Sequence, residues 1–368
     1  MLTRICRGPA SGLSKNLSFA VVLSGLFWLA GAILLTGGAT RAPAQESSPP
    51  KSYPTIGKIE RLSDDFDSLV PADAALEVIG NGLTWCEGPV WVPADKANAV
   101  DLPAEDQLLF SDIPRNTIFR WTEKRGLETF MNPSGYTGVT YYGLEPGTNG
   151  LTLDPQGRLT MCEHGDRRIS VLTTGGGKLT LVDRYDGKRL NSPNDLVFAA
   201  DGTMYFTDPP YGLPDRADDP MRELDFCGVY RLSVDGVLTV LTKEIDRPNG
   251  IGLSPDERTL YVAQSDPSRP IWMAYPIGEG GALGERKVLM DASKFMNEFP
   301  GLPDGLAVHR SGTIFGSGPG GIYVISSDGT LLGRIITGGR TSNCTFDEDQ
   351  STLYITADDK VCRLKLKP

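Results

Sequence analysis

Six short polar residues recur along the chain, each at the head of an alternating apolar run: Glu87, Asn149, Asn194, Asn249, Asp304 and Asn343. The runs they open are Glu87-Gly88-Pro89-Val90-Trp91, Asn149-Gly150-Leu151-Thr152-Leu153, Asn194-Asp195-Leu196-Val197-Phe198, Asn249-Gly250-Ile251-Gly252-Leu253, Asp304-Gly305-Leu306-Ala307-Val308 and Asn343-Cys344-Thr345-Phe346. Two carboxylates and four carboxamides offer oxygen donors only. Brought together they carry two negative charges and suit a hard divalent cation, Ca2+ before Mg2+ or Zn2+, because calcium accepts mixed carboxylate, carbonyl and water ligation. The chain has only two histidines, His164 and His309, so a three-histidine zinc centre is impossible, and no cysteine pair has CxxC spacing. Singly, each head also reads as an ordinary turn dipeptide that needs no ligand. Turn chemistry alone does not explain why the polar residue precedes the same kind of strand every time.

The heads need elements that gather them. After most heads comes a tight turn, such as Asp154-Pro155-Gln156-Gly157, Asp201-Gly202, Ser254-Pro255-Asp256 or Ser311-Gly312, and then further strand-like runs. One unit continues through Met204-Tyr205-Phe206-Thr207, Gly228-Val229-Tyr230-Arg231-Leu232 and Leu238-Thr239-Val240-Leu241. Four short antiparallel strands per unit describe a propeller blade, and six heads predict an all-β, six-bladed β-propeller. A sandwich or jelly roll is the alternative for any strand-rich sequence, but neither accounts for the repeated head. In a propeller the innermost strand of each blade lines the central channel, so the heads converge at one of its ends. The last unit lacks an outer strand, which the N-terminal segment Ala75 to Ile79 is expected to donate, closing the ring. Helix is expected only in short turns and around Asp64 to Leu69.

Composition sets the outer limits. With 40% apolar and 22% charged residues the chain can bury a large core, which excludes disorder. The 46 acidic against 36 basic residues give −10, which argues against a nucleic-acid surface and suits cation binding. Arg4, Arg7 and Lys15 precede an apolar run from Leu17 to Leu35 and then Ala42-Pro43-Ala44, the pattern of a secretory signal. Residues 1–44 therefore read as a signal peptide cleaved after Ala44, or retained as an anchor; 45–55 as a Ser/Pro-rich linker; and 56–368 as the propeller. The protein is expected to be exported, periplasmic or secreted. Cleavage removes Cys6 and leaves Cys86, Cys162, Cys227, Cys344 and Cys362, an odd set scattered through strand-like stretches. Buried free thiols are expected, with Cys344 and Cys362 the only pair that merits a disulfide test.

Several stretches together carry a resemblance: Glu87-Gly88-Pro89-Val90-Trp91, Cys162-Glu163-His164-Gly165-Asp166-Arg167-Arg168, Asn191-Ser192-Pro193-Asn194-Asp195-Leu196, Phe206-Thr207-Asp208-Pro209-Pro210-Tyr211-Gly212-Leu213 and Arg247-Pro248-Asn249-Gly250. They are similar to the gluconolactonase branch of the SMP-30/gluconolactonase/LRE family, from about Ile56 to the C-terminus. The resemblance implies a six-bladed propeller with one divalent ion, usually calcium, in the channel. Carried over motif by motif, it implies Glu87, Asn194, Asn249 and Asp304 as ligands. Asn149 and Asn343 remain as channel-lining residues, with Asn149 the one to reach substrate or a water beside the ion.

A cation in such a site polarises a carbonyl, so ester or lactone hydrolysis is the natural reaction, with Asp304 both ligand and the carboxylate that orients or deprotonates water, as in the role proposed across the family. No Gly-x-Ser-x-Gly elbow is present, so a serine acyl-enzyme is not expected. His164 either donates to a sugar hydroxyl or is a structural histidine. Tyr211 either stacks on a sugar ring or packs the blade edge. Trp85 and Trp91 are read as core. Three functions follow: a sugar lactonase; another calcium-dependent hydrolase, of aryl esters, phosphotriesters or non-sugar lactones; or a non-enzymatic binding module with a structural ion.

Overall fold

Alternation of apolar and polar residues over four to eight positions, broken by Gly, Asp and Pro turns, leaves each segment with one pairing solution: antiparallel to its sequence neighbour. The computed structural model describes residues 51–368. The expected signal segment, and with it cleavage and export, lies outside the described residues. Four consecutive antiparallel strands recur as blades. Blade one runs through Cys86–Val92, Gln107–Asp112, Thr117–Thr122 and Gly126–Met131. Blade two holds Thr148–Leu153, Leu159–Glu163, Arg168–Leu172 and Lys178–Val182; blade three, Leu196–Phe198, Met204–Asp208, Gly228–Leu232 and Leu238–Thr242. Blade four follows with Pro248–Leu253, Thr259–Asp266, Arg269–Pro276 and Lys287–Asp291, and blade five with Leu306–Val308, Ile314–Gly318, Gly321–Ile325 and Leu331–Ile336. Blade six takes Thr341–Phe346, Thr352–Ala357 and Lys360–Lys365 from the end of the chain.

The N-terminal segment completes two blades. Leu76–Gly80 pairs antiparallel with Lys360–Lys365, as expected for ring closure, and Thr55–Ile56 adds outside it. Lys58–Arg61 also lies along Leu331–Ile336 as a fifth strand of blade five, tied by the ion pair of Arg334 with Glu60 at 2.7 Å. This second pairing is absent from the sequence reading. Between these strands lies the helix Asp64–Leu69, capped by the Ser63 hydroxyl, which accepts from the Phe66 N–H at 3.2 Å. No helix among the described residues is long and apolar enough to cross a membrane.

The apolar residues of the described chain sort into six buried clusters, and each joins two adjacent blades. Val90, Val92 and Leu109 of blade one meet Leu151, Leu159 and Met161 of blade two. Tyr205 and Val229 of blade three meet Ile251, Leu260 and Val262 of blade four. Ile79, Tyr354 and Val361 of blade six meet Leu108 and Phe110 of blade one, so the seam between the chain ends is packed like the others. Trp91 lies in that seam, stacked on Tyr354 with centroids 5.0 Å apart.

The five described cysteines are buried free thiols. Cys344 and Cys362 are not bonded, for a simple reason of register. Both pair with Ile355 from opposite sides, which puts them two strands, about 10 Å, apart, beyond the Cα reach of a disulfide.

Candidate functional site

Each head residue sits where the inner strand breaks its regular ladder. The register slips between Glu87 and Val90, Thr148 and Leu151, Pro248 and Ile251, and Thr341 and Asn343. In blades three and five the ladder begins only at Leu196 and Leu306, two residues past the head. Such irregularities turn a side chain out of the sheet and toward the axis. The heads are therefore aimed by backbone geometry, with the following strand held in the blade.

The glycine that follows most heads is demanded by the neighbouring blade. A Cβ on Gly88 would lie 2.0 Å from the Asn149 carbonyl oxygen, one on Gly150 2.7 Å from that of Asn194, and one on Gly250 2.3 Å from that of Asp304. Gly150 N–H donates to the Asn194 carbonyl at 2.8 Å and Gly250 N–H to that of Asp304 at 3.2 Å. The head dipeptides are thus contact points between blades, which explains the repeat better than turn chemistry does.

Hydroxyls on the second strands add to this collar. Ser111 donates to the Asn149 carbonyl at 2.8 Å, Thr207 to that of Asn249 at 2.7 Å, Ser265 to that of Pro303 at 2.6 Å, and Ser317 to that of Ser342 at 2.7 Å. Asp112 and Asp208, each next in sequence to such a hydroxyl, hold the backbone that leads into a head. Asp208 accepts from the N–H groups of Asn191 and Ser192, both at 2.8 Å, ahead of Asn194. Asp112 accepts from those of Thr84 and Trp85 at 3.0 and 3.2 Å, ahead of Glu87. The sequence signal is Phe110-Ser111-Asp112, Phe206-Thr207-Asp208 and Gln264-Ser265-Asp266, a second repeat offset from the heads.

A cavity of about 290 Å³ opens at the channel mouth. Glu87, Asn149, Asn194, Asn249, Asp304 and Tyr211 line it, so five heads meet there. Asn343 instead lines a separate cavity of about 220 Å³, with Asp195. His164 is fully buried and does not line the cavity. It stands behind Asn149, whose amide approaches Nε2 at 3.4 Å, while Nδ1 faces Glu145 at 3.7 Å. Burial pushes His164 down to about 3, so the ring is neutral and its bond orients Asn149. Trp85, expected in the core, is half-buried and lines the cavity instead, because its backbone is drawn to Asp112 at the head of blade one. Glu145, Arg216, Arg247 and Arg340 complete the wall. They come from loops or strand ends and share no periodic position, so no repeat announces them.

The electrostatics of this floor are one-sided. Burial, then the charge of Asp304 and of Asp195, pushes the Glu87 carboxyl well above the ordinary carboxylate range. Burial, then the charge of Asp195 and of Glu145, does the same to Asp304, with the Asn249 amide and Gly305 N–H opposing weakly. Asp304 Oδ1 is shielded from solvent and has no hydrogen-bond partner, and neither has the Tyr211 hydroxyl. A divalent cation would remove both faults, since it supplies the missing positive charge and a partner for the orphaned oxygen. Among the described residues no three His, Cys, Asp or Glu side chains form a metal-binding cluster. The donors here are two carboxylates with asparagine oxygens, a hard set that fits calcium better than zinc.

These carboxyls give the metal-free protein a characteristic pH response. Burial raises Asp195, Asp208 and Glu145 to about 7, whereas in the unfolded chain carboxylates titrate near 4. Between those values the folded state holds more protons, so stability falls as pH rises. His164, pushed down to about 3, acts in the opposite sense between about pH 3 and 6.5 but is outnumbered. Metal-free protein is therefore expected to lose thermal stability between about pH 5 and pH 8, and added Ca2+ to restore more at pH 8 than at pH 5. A melting temperature that rises over that window without metal would contradict this assignment.

Residues 85–359 match the SMP-30/Gluconolactonase/LRE-like region. The chain is 40% identical to a gluconolactonase of Zymomonas mobilis over 320 residues, 85% of this chain and 87% of that one. It is 27% identical to a pentonolactonase of Haloferax volcanii over 73% of this chain and 80% of the other. Among solved structures it superposes on a Xanthomonas campestris gluconolactonase with a TM-score of 0.73 and 34% identity, covering 87% of this chain and 99% of that one. With the propeller and its oxygen-lined channel in place, these likenesses settle the family: the chain belongs to the SMP-30/gluconolactonase/LRE-like proteins.

Proposed function

We propose that the protein hydrolyses sugar lactones in the channel mouth, with one Ca2+ held by Glu87, Asn194, Asn249 and Asp304. The observation that carries this reading is the orphaned, charge-repelled Asp304 carboxylate on the floor of a cavity of about 290 Å³, in a chain that is 40% identical over 320 residues to a gluconolactonase. The ion, when bound, supplies polarisation of the lactone carbonyl and stabilisation of the negative charge that develops on its oxygen.

The chain's own residues do the rest. Asp304 orients a water and takes its proton as the water oxygen bonds to the carbonyl carbon. The ring C–O bond then breaks, and the proton passes to the departing ring oxygen, which leaves an open-chain hydroxy acid. Asn149, fixed by His164, presents its amide to the substrate, and the unpartnered Tyr211 hydroxyl is free to meet a sugar hydroxyl.

The reading is tested by following acid release from a panel of sugar lactones, simple aryl esters and phosphotriesters. Turnover is expected on lactones of sugar acids and to be at least tenfold weaker on the other two classes; the reverse order would overturn the substrate assignment. A narrower check is Glu87→Gln, which keeps shape and removes one of two ligand charges. Calcium affinity is expected to fall about tenfold or more with the melting temperature of the metal-free protein preserved or raised. Unchanged affinity in isothermal titration would remove Glu87 from the site.

A further inference from the structure

The protein carries a net charge of −10, yet cations collect around the channel mouth. Arg216, Arg247 and Arg340 line the site cavity. Beside it lies a second cavity of about 360 Å³, which shares Tyr211, Arg216 and Arg247 with the first and adds Arg222 and Lys243. Asp225 and Asp246 are the acids in its wall, so cations outnumber them. Arg216 is 3.8 Å from Glu145, but among the described residues Arg222, Lys243, Arg247 and Arg340 have no carboxylate within ion-pair distance. Their partners are neutral. Arg222 donates to the Asn191 side-chain oxygen and the Ala217 carbonyl, both at 3.3 Å, and Lys243 Nζ sits 4.0 Å over the Phe226 ring.

Arg216 offsets part of the Glu145 charge beside the ion site, but among the described residues Arg222, Lys243 and Arg247 pair with no carboxylate of that site. The hydroxyls of a neutral sugar can accept from these N–H groups but leave their charge uncompensated. An anionic group on the substrate would use it, since guanidinium forks and an ammonium pair strongly with carboxylate or phosphate. The shared wall of Tyr211, Arg216 and Arg247 makes the two cavities adjoining compartments, one for the lactone carbonyl and one for a charge carried further along the sugar.

We propose that the side cavity is an anion subsite: the preferred substrates are sugar lactones bearing a second acidic group, carboxylate or phosphate, remote from the lactone carbonyl and held by Arg247, Arg222 and Lys243. The inference rests on the lactonase reading for its substrate, but its test does not need turnover. Calcium-loaded protein is titrated calorimetrically with gluconate, glucarate and gluconate 6-phosphate. Glucarate and gluconate 6-phosphate, which carry a second anionic group, or one of them, are expected to bind roughly tenfold tighter than gluconate at low salt. The advantage is expected to shrink between about 0.01 M and 0.15 M ionic strength, as the screening length contracts from about 30 Å to about 8 Å. Preference for glucarate assigns a carboxylate, and preference for the phosphate ester assigns a phosphoryl group.

The double variant Arg222→Gln, Lys243→Gln is expected to bring the affinity ratio toward one, and the exposed Lys243→Gln alone gives a partial loss if the double variant is unstable. Equal affinities for the three acids in the unaltered protein, or a ratio indifferent to these substitutions, would overturn the subsite. Protein that discriminates among the acids but opens no lactone would sink the lactonase reading and keep the subsite. Protein that opens gluconolactone without discriminating would do the opposite.

Discussion

Asp304→Asn is expected to lose at least about 100-fold in kcat while still binding metal, which separates the two duties assigned to this side chain. An asparagine oxygen can replace one carboxylate oxygen as a ligand, but it cannot take a proton from water. The environment sharpens the expectation. Asp304 lies beside the buried charges of Asp195 and Glu145 and has an oxygen that nothing in the chain satisfies. Removing its charge also relieves repulsion, so the variant should fold at least as well as the parent without metal. Loss of activity alone would be ambiguous, because loss of the ion would produce it too. Turnover is therefore measured at saturating Ca2+ with occupancy determined on the same sample. Near-normal kcat in a fully loaded variant would take Asp304 out of proton transfer.

Gly88→Ala is expected to be the most damaging single-methyl change near the site. Its φ of +49° lies where an L side chain is strained, and its Cβ would meet the Asn149 carbonyl oxygen at 2.0 Å. The obstacle is backbone on both sides, so blades one and two must separate. Strain of about 1–2 kcal/mol and overpacking of about 1–3 kcal/mol together suggest a loss near 3 kcal/mol. For a domain of this size that corresponds to a melting temperature lower by about 4–5 °C. The control is Gly126→Ala, where φ is +76° but nothing lies within 4 Å of the new methyl. Only the strain should register there, about 1 kcal/mol. Equal losses at the two positions would show that close approach of the blades is not what the head glycine serves.

The repeat made most of the fold legible. Alternation identified the strands, and six polar heads counted the blades, because the same environment recurs six times and asks for the same residue classes. What escaped was non-periodic or long-range. Lys58–Arg61 is a short charged stretch whose partner lies some 275 residues away, at Leu331–Ile336, and nothing in Lys-Ile-Glu-Arg marks it as an edge strand. The site divides the same way. Glu87, Asn149, Asn194, Asn249, Asp304 and Tyr211 line one cavity, and all but Tyr211 are blade heads. The arginines and Glu145 arrive from segments between the strands, with no periodic position, so their convergence is visible only in three dimensions. His164 shows a further limit, since a buried histidine that steers Asn149 has the same local sequence as one that faces substrate.

The central claim is that one channel-bound calcium ion and Asp304 together open sugar lactones. Protein freed of divalent ions is titrated with Ca2+ while bound metal and gluconolactone turnover are measured on the same samples. Turnover is predicted to be at most a few per cent at the start, to rise in proportion to bound calcium, and to saturate at one ion per chain. Full activity in metal-free protein, or a fully loaded protein inert toward every sugar lactone, would contradict it.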